Sequence, residues 1–274
     1  MKRILLPTDF SENAEKAINY ALAMMKGEPC EFILLNTYKE PHSGAAMVIS
    51  ILDILKKDSL EALAVEEARL KPKGEGEAWR ITTACEHGDL ADVVRSLVVR
   101  HSIDLVVMGT KGASGVREML MGSNAAAIIA NCPTTVLAIP ENAAFESPTD
   151  LGFAADFEHL AQSDMLQPLK ELAIRFRARL HVINMQQEND AVNVDKAAIE
   201  QALRTSFGPG VNQQYEYVVA TDIEKDIEQF IEEKGIQHLF VVRLKRSFLE
   251  RLFHRSMTRK LAFHTKVPLW VIPQ

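Results

Sequence analysis

Cysteine, net positive charge and long apolar runs are all scarce in this chain of 274 residues. Cys30, Cys85 and Cys132 form an odd, scattered set without C-x-x-C spacing, which suits reduced thiols better than a disulfide framework. The formal net charge of -6 argues against general nucleic-acid affinity. After Met1-Lys2-Arg3 the apolar run covers only Ile4 to Leu6 before Pro7, too short for a secretion-signal core, and no stretch approaches a membrane span. The histidines show no H-x-x-x-H or paired-carboxylate spacing for a metal. What remains is an ordinary composition, 47% hydrophobic and 25% charged, and the expectation of a soluble cytoplasmic protein with room for two domains.

Glycine is also sparse, with 13 in the chain, yet Gly109, Gly112, Gly115 and Gly122 crowd into the stretch from Asp104 to Asn124. Asp104 to Met108 reads as a fully buried strand, and the apolar run from Ala125 as a helix with Ser123 as its N-cap. The glycines therefore lie between a strand end and a helix start, where open α/β sheets bind ligands. There glycine lets backbone N–H groups approach an anion, and the helix start adds unpaired donors and the positive end of a dipole. Neither Walker A, which needs a lysine before the serine, nor G-x-G-x-x-G fits. The spacing is instead glycine, two residues, glycine, nine residues, glycine-serine: Gly109, Gly112, Gly122 and Ser123.

Around that loop the chain alternates. Lys2 to Pro7 predicts a first strand running into Thr8-Asp9-Phe10, with Ser11 capping a helix to about Lys26. Phe32 to Tyr38 predicts a second strand, Met47 to Leu70 a helix, Trp79 to Cys85 a third strand and Leu90 to about His101 a helix. A helix to Asn131 and a strand from Thr134 to Ile139 complete the set. Such alternation implies right-handed crossovers and a parallel sheet covered on both faces.

Residues 141–149 have linker composition, after which the pattern begins again. Leu151 to Phe157 echoes Leu5 to Phe10, Leu180 to Asn184 echoes Ile33 to Asn36, and Gln237 to Val242 echoes Ile103 to Met108. This reads as a duplication. Opposite Gly109, Gly112 and Gly122 the second copy offers Arg243, Arg246 and Arg255, and only Ser256 survives from the glycine-serine spacing. Arginines Arg251, Arg255 and Arg259 share one helical face, a solvated basic stripe or the contact for an unknown protein partner.

The glycine spacing resembles the ATP-binding signature of the universal stress protein family, and the likeness covers residues 1–140 strongly and 150–274 by topology and scattered motifs. The resemblance implies two tandem HUP/Rossmann-like domains, each an open parallel five-stranded sheet of order 3-2-1-4-5 with helices on both faces. It implies ATP, ADP or AMP in the first copy, with Mg²⁺ as a potential companion. By position, Pro7, Thr8 and Asp9 would face adenine and ribose, Thr37 would offer backbone contacts to the base, and Met108 would close the floor. Gly109 and Gly112 would follow the ribose and first phosphate, and Gly122, Ser123 and Asn124 would hold the phosphates. Asp156 matches Asp9 in a degenerate second domain with no cradle beside it. Family dimers pair their last strands, so Thr135 to Ile139 and Leu269 to Ile272 could make an intramolecular pseudo-dimer, with a homodimer of whole chains as a further step. With no catalytic acid–base pair beside Asp9, the expectation is a nucleotide-dependent stress or signalling module with at most weak ATP hydrolysis. The alternatives are a slow ATPase and a nucleotide-independent, chaperone-like scaffold.

Overall fold

The computed structural model describes residues 1–40, 48–111, 122–155, 163–187, 196–220, 223–243 and 266–274. Among them the chain folds as two compact units, one ending at Phe145 and the other starting at Glu146. Gly112, Arg117, Asp156, Arg246 and the whole basic stripe with Ser256 lie outside the described residues.

In the first unit, β1 (Lys2–Pro7), β2 (Cys30–Tyr38), β3 (Trp79–His87), β4 (Leu105–Gly109) and β5 (Thr135–Ile139) alternate with α1 (Glu12–Met24), α2 (Val48–Leu70), α3 (Leu90–His101) and α4 (Ser123–Asn131). The order across the sheet is β3-β2-β1-β4-β5, all neighbours parallel. Ile4, Leu5, Leu6, Phe32, Leu34 and Leu35 are fully buried, as continuous apolar strands covered on both faces must be. The edge strand β3 is only half-buried along most of its length. Each buried aliphatic side chain contributes about 1.5–3 kcal/mol, so the central strands hold the frame that positions the loops.

The second unit repeats the topology with β6 (Asp150–Ala155), β7 (Arg179–Gln187), β8 (Gln213–Ala220), β9 (His238–Arg243) and β10 (Leu269–Pro273). Its helices are α5 (Gln167–Phe176), α6 (Lys196–Phe207) and α7 (Ile223–Lys234). The strand order is β8-β7-β6-β9-β10, again parallel. Arg243 closes β9 opposite Pro273 as Gly109 closes β4 opposite Ile139, so arginine stands where the first unit has glycine.

Element ends differ from the sequence reading by a residue or two. β2 begins at Cys30 and β3 reaches His87, because both keep pairing to the end of the sheet, Cys30 with Trp79 and Tyr38 with His87. α1 stops at Met24: the Met25 N–H still reaches the Ala21 carbonyl, but the Lys26 N–H turns to Ala23 and Gly27 takes φ 81°.

Candidate functional site

At the carboxyl ends of β1, β2 and β4 lies a cavity of about 290 Å³. Pro7, Thr8, Asp9, Thr37, Met108, Gly109, Gly122, Ser123 and Asn124 all line it, so the described residues that the resemblance assigns to a nucleotide converge there. Ala14, Asn36, Leu90, Thr110, Lys111 and Ala125 complete the lining.

The β1 turn is held by its own side chains. The Thr8 N–H donates to the Leu35 carbonyl at 2.8 Å, and Thr8 Oγ1 accepts from the Phe10 N–H at 3.0 Å. Phe10 takes a left-handed conformation, φ 61°, which is unusual for an aromatic residue and costs on the order of 1 kcal/mol. That twist lets Asp9 Oδ1 accept from Ser11 twice, from its N–H at 3.1 Å and its hydroxyl at 2.6 Å. Ser11 Oγ in turn accepts from the Ala14 N–H at 3.3 Å and caps α1. Asp9 therefore both orients a helix cap and lines the cavity.

Beneath the turn, Asn36 Nδ2 donates to the Thr8 carbonyl at 2.7 Å, and Asn36 Oδ1 accepts from Ser59 Oγ at 2.7 Å. With both amide groups satisfied inside the protein, Asn36 fixes the wall without needing a ligand. Its polarity at the end of the apolar run Phe32 to Leu35 was the sequence signal for this role.

The opposite wall is the glycine loop, and here the structure corrects one detail. Gly122, not Ser123, is the N-cap of α4: its carbonyl accepts from the Ala126 N–H at 3.0 Å, leaving Ser123 as the first helical residue. The Gly122 N–H is also engaged, donating to the Thr110 carbonyl at 2.8 Å and pinning the two ends of the loop together. The donors without intrahelical acceptors at this end of α4 are thus the N–H groups of Ser123, Asn124 and Ala125, with the exposed Ser123 hydroxyl beside them. Three N–H groups and a helix dipole facing a cavity can hold an anion. Gly122 sits at φ -60°, ψ 147°, open to any L-residue, so what its lack of a side chain provides is room.

Gly109 has a different reason. A Cβ there would stand 2.8 Å from Asn13 Nδ2 and 3.1 Å from the Asn13 carbonyl oxygen. Asn13 Nδ2 donates to the Lys111 carbonyl at 2.8 Å, so α1 packs directly on the strand end and ties down the entry to the loop. The sequence reading gave Gly109 to the ligand; the structure adds this helix–strand approach.

The charged side chains among the described lining are Asp9 and Lys111. Lys111 Nζ pairs with Glu141 Oε2 at 2.7 Å, and the hydrogen bond and charge of Lys111 hold the Glu141 carboxyl below its usual range. On the far side, Lys39 pairs with Asp89, the N-cap of α3, next to the cavity residue Leu90. No group of three or more potential metal ligands occurs among the described residues.

In the second unit the described residues include a polar cluster near the strand starts. Asp150, which opens β6, accepts from Arg179 Nε at 2.7 Å and Thr149 Oγ1 at 2.9 Å and meets His181 Nε2 at 2.8 Å. Burial works to raise its pKa, but hydrogen bonds from Arg179, His181 and Thr149 outweigh it and hold the carboxyl at about 2. His238, opening β9, accepts from Trp270 Nε1 at 2.9 Å, and burial pushes its pKa down to about 4.

Comparison with known proteins agrees with this architecture. Universal stress protein MJ0531 of Methanocaldococcus jannaschii is 30% identical over 150 residues, 51% of this chain and 84% of that protein. Universal stress protein MJ0577 of the same organism is 24% identical over 152 residues, 50% of this chain and 94% of its own length. A solved universal stress protein from Archaeoglobus fulgidus superposes with a TM-score of 0.76 at 17% identity, covering 99% of this chain and 96% of that one, which shows the shared fold. The model of the universal stress protein family matches residues 1–140, over half of the 274, and the chain belongs to that family.

Proposed function

We propose that the first unit binds an adenine nucleotide, ATP or else ADP or AMP, and that the protein works as a nucleotide-dependent stress or signalling module. The observation that carries this reading is the cavity itself: strand-end residues Thr8, Asp9 and Thr37 on one side, and three free-ended N–H groups of α4 on the other. An apolar floor with a few convergent polar groups suits a base and ribose, and the helix start suits phosphate. In this reading Pro7, Thr8, Asp9, Thr37 and Met108 surround the nucleoside, Gly109 and Gly112 follow the ribose and first phosphate, and Gly122, Ser123 and Asn124 surround the phosphates. Mg²⁺ would arrive with the nucleotide, with Asp9 the carboxylate nearest to hand.

Phosphoryl transfer needs a positioned base and charge stabilisation at the terminal phosphate, and the described lining has no acid–base pair for it. The proposed role is therefore binding, with hydrolysis slow or absent. The second unit, with Arg243 in place of Gly109, is proposed as a degenerate copy that does not take nucleotide the same way. Its basic stripe and the pairing of the two last strands remain part of the proposal, as does a cytoplasmic location.

The test is calorimetric titration of ATP, ADP and AMP with Mg²⁺ into wild type and Gly122→Val, both stripped of co-purified nucleotide. One site per chain, weakened roughly 100-fold by the valine's filling of the cavity without a matching loss of thermal stability, is the expected result. A wild type that binds none of the three would move the function to a nucleotide-independent scaffold.

A further inference from the structure

The Lys111–Glu141 pair has a position that a surface ion pair would not need. Lys111 lines the cavity, and its backbone is fixed on both sides: its carbonyl accepts from Asn13 Nδ2 at 2.8 Å, and the preceding Thr110 carbonyl accepts the Gly122 N–H at 2.8 Å. The ammonium stem is thereby rooted one residue from the hydrogen bond that closes the α4 N-cap, beside the N–H groups of Ser123 to Ala125. Glu141, just beyond β5, holds the ammonium at 2.7 Å but is not itself among the lining residues.

We infer that Glu141 is a displaceable counter-ion that sets the phosphate-number selectivity of this cavity by competing with the outer phosphates of a nucleotide for Lys111. The inference rests on the nucleotide reading above. Its physical basis is a difference in worth. The pair is half open to water, with the Lys111 and Glu141 side chains 32% and 48% exposed, and such a pair contributes little. An ammonium donating to a phosphate at a helix start makes a charge-assisted hydrogen bond of greater strength, helped by the dipole. A polyphosphate therefore displaces the carboxylate, at a cost that a monophosphate too short to engage Lys111 does not incur. The partition between ATP and AMP then depends on Glu141, although Glu141 need not touch the ligand.

The experiment is titration of ATP, ADP and AMP into stripped wild type, Glu141→Gln, Lys111→Met and the double variant, all substitutions at solvent-accessible side chains. Glu141→Gln should raise ATP affinity roughly threefold while leaving AMP within about 1.5-fold. Lys111→Met should weaken ATP about tenfold and AMP by less than about twofold, and in the double variant the glutamine should add nothing to the loss. An unchanged ATP-to-AMP ratio in Glu141→Gln, or a glutamine effect that persists without Lys111, overturns this inference and leaves nucleotide binding standing. Absence of all binding by wild type overturns both.

Discussion

The two units share one strand order, but among the described residues they bury different polar groups. In the first, the carboxyl edge of the sheet carries the cavity, and the buried polar residues are Thr8, Asn13, Ser59 and Thr135, none of which titrates. In the second, β9 ends in Arg243, and the buried polar residues described are Asp150, His181, Asn184 and His238, of which Asp150 and His238 open their strands and have shifted pKa values. A parallel sheet fixes where a ligand site can be, at the strand carboxyl ends, but not whether one is built. The first unit combines small residues with unpaired N–H groups there; among its described residues the second has a cluster of Asp150, Arg179 and His181 that ties β6 to β7 near their starts.

Making the first unit resemble the second should have the largest effect. Gly109→Arg places a Cβ against Asn13 at 2.8 Å and a charged chain in the cavity, so ATP binding should fall beyond detection and stability by on the order of 3 kcal/mol. Urea unfolding beside calorimetry checks both, and a variant that still binds ATP would break the distinction between the units. A smaller effect, confined to the second unit, comes from pH. His238 is held near 4 against an ordinary value of 6.5, so the folded state disfavours its charged form. The stability this gives is complete above pH 6.5 and is lost as pH falls toward 4, about 3 kcal/mol in all. Trp79 and Trp270 are the chain's two tryptophans, one per unit, so Trp79→Phe leaves Trp270 to report on the second. Its urea midpoint should drop across that window, and a flat profile would contradict the assignment. The smallest effect is a cap. Ser11→Ala removes the acceptor for Ala14 N–H and a donor to Asp9, costing about 1 kcal/mol of first-unit stability and loosening Asp9. Ser11→Thr should restore most of it.

Much of this was legible in the chain because its signals are local. Apolar runs such as Ile4 to Leu6 and Val106 to Met108, bounded by turn residues and alternating with helical patterns, read as buried parallel strands, and a serine before an amphipathic run reads as a cap, as Ser11 is. Ser123 misled for the same reason: serine is the commoner cap, but here the loop closure through Thr110 puts Gly122 in that place. Contacts between distant segments were not legible. Nothing in the sequence says that Asn13 lies against Gly109, that Glu141 reaches Lys111, or that β6 and β7 bring Asp150 to Arg179 and His181. Those pairings follow from strand register, which the topology fixes only once the sheet is assembled.

The central claim, that the first unit's carboxyl edge is an anion site and the second unit's is not, is tested most directly by amide chemical-shift mapping with ATP and Mg²⁺. Large shifts at Thr8, Asp9, Thr37, Ser123, Asn124 and Ala125, with β9 and Arg243 unmoved, are the predicted result. Equal shifts at both strand ends, or none at α4, would contradict it.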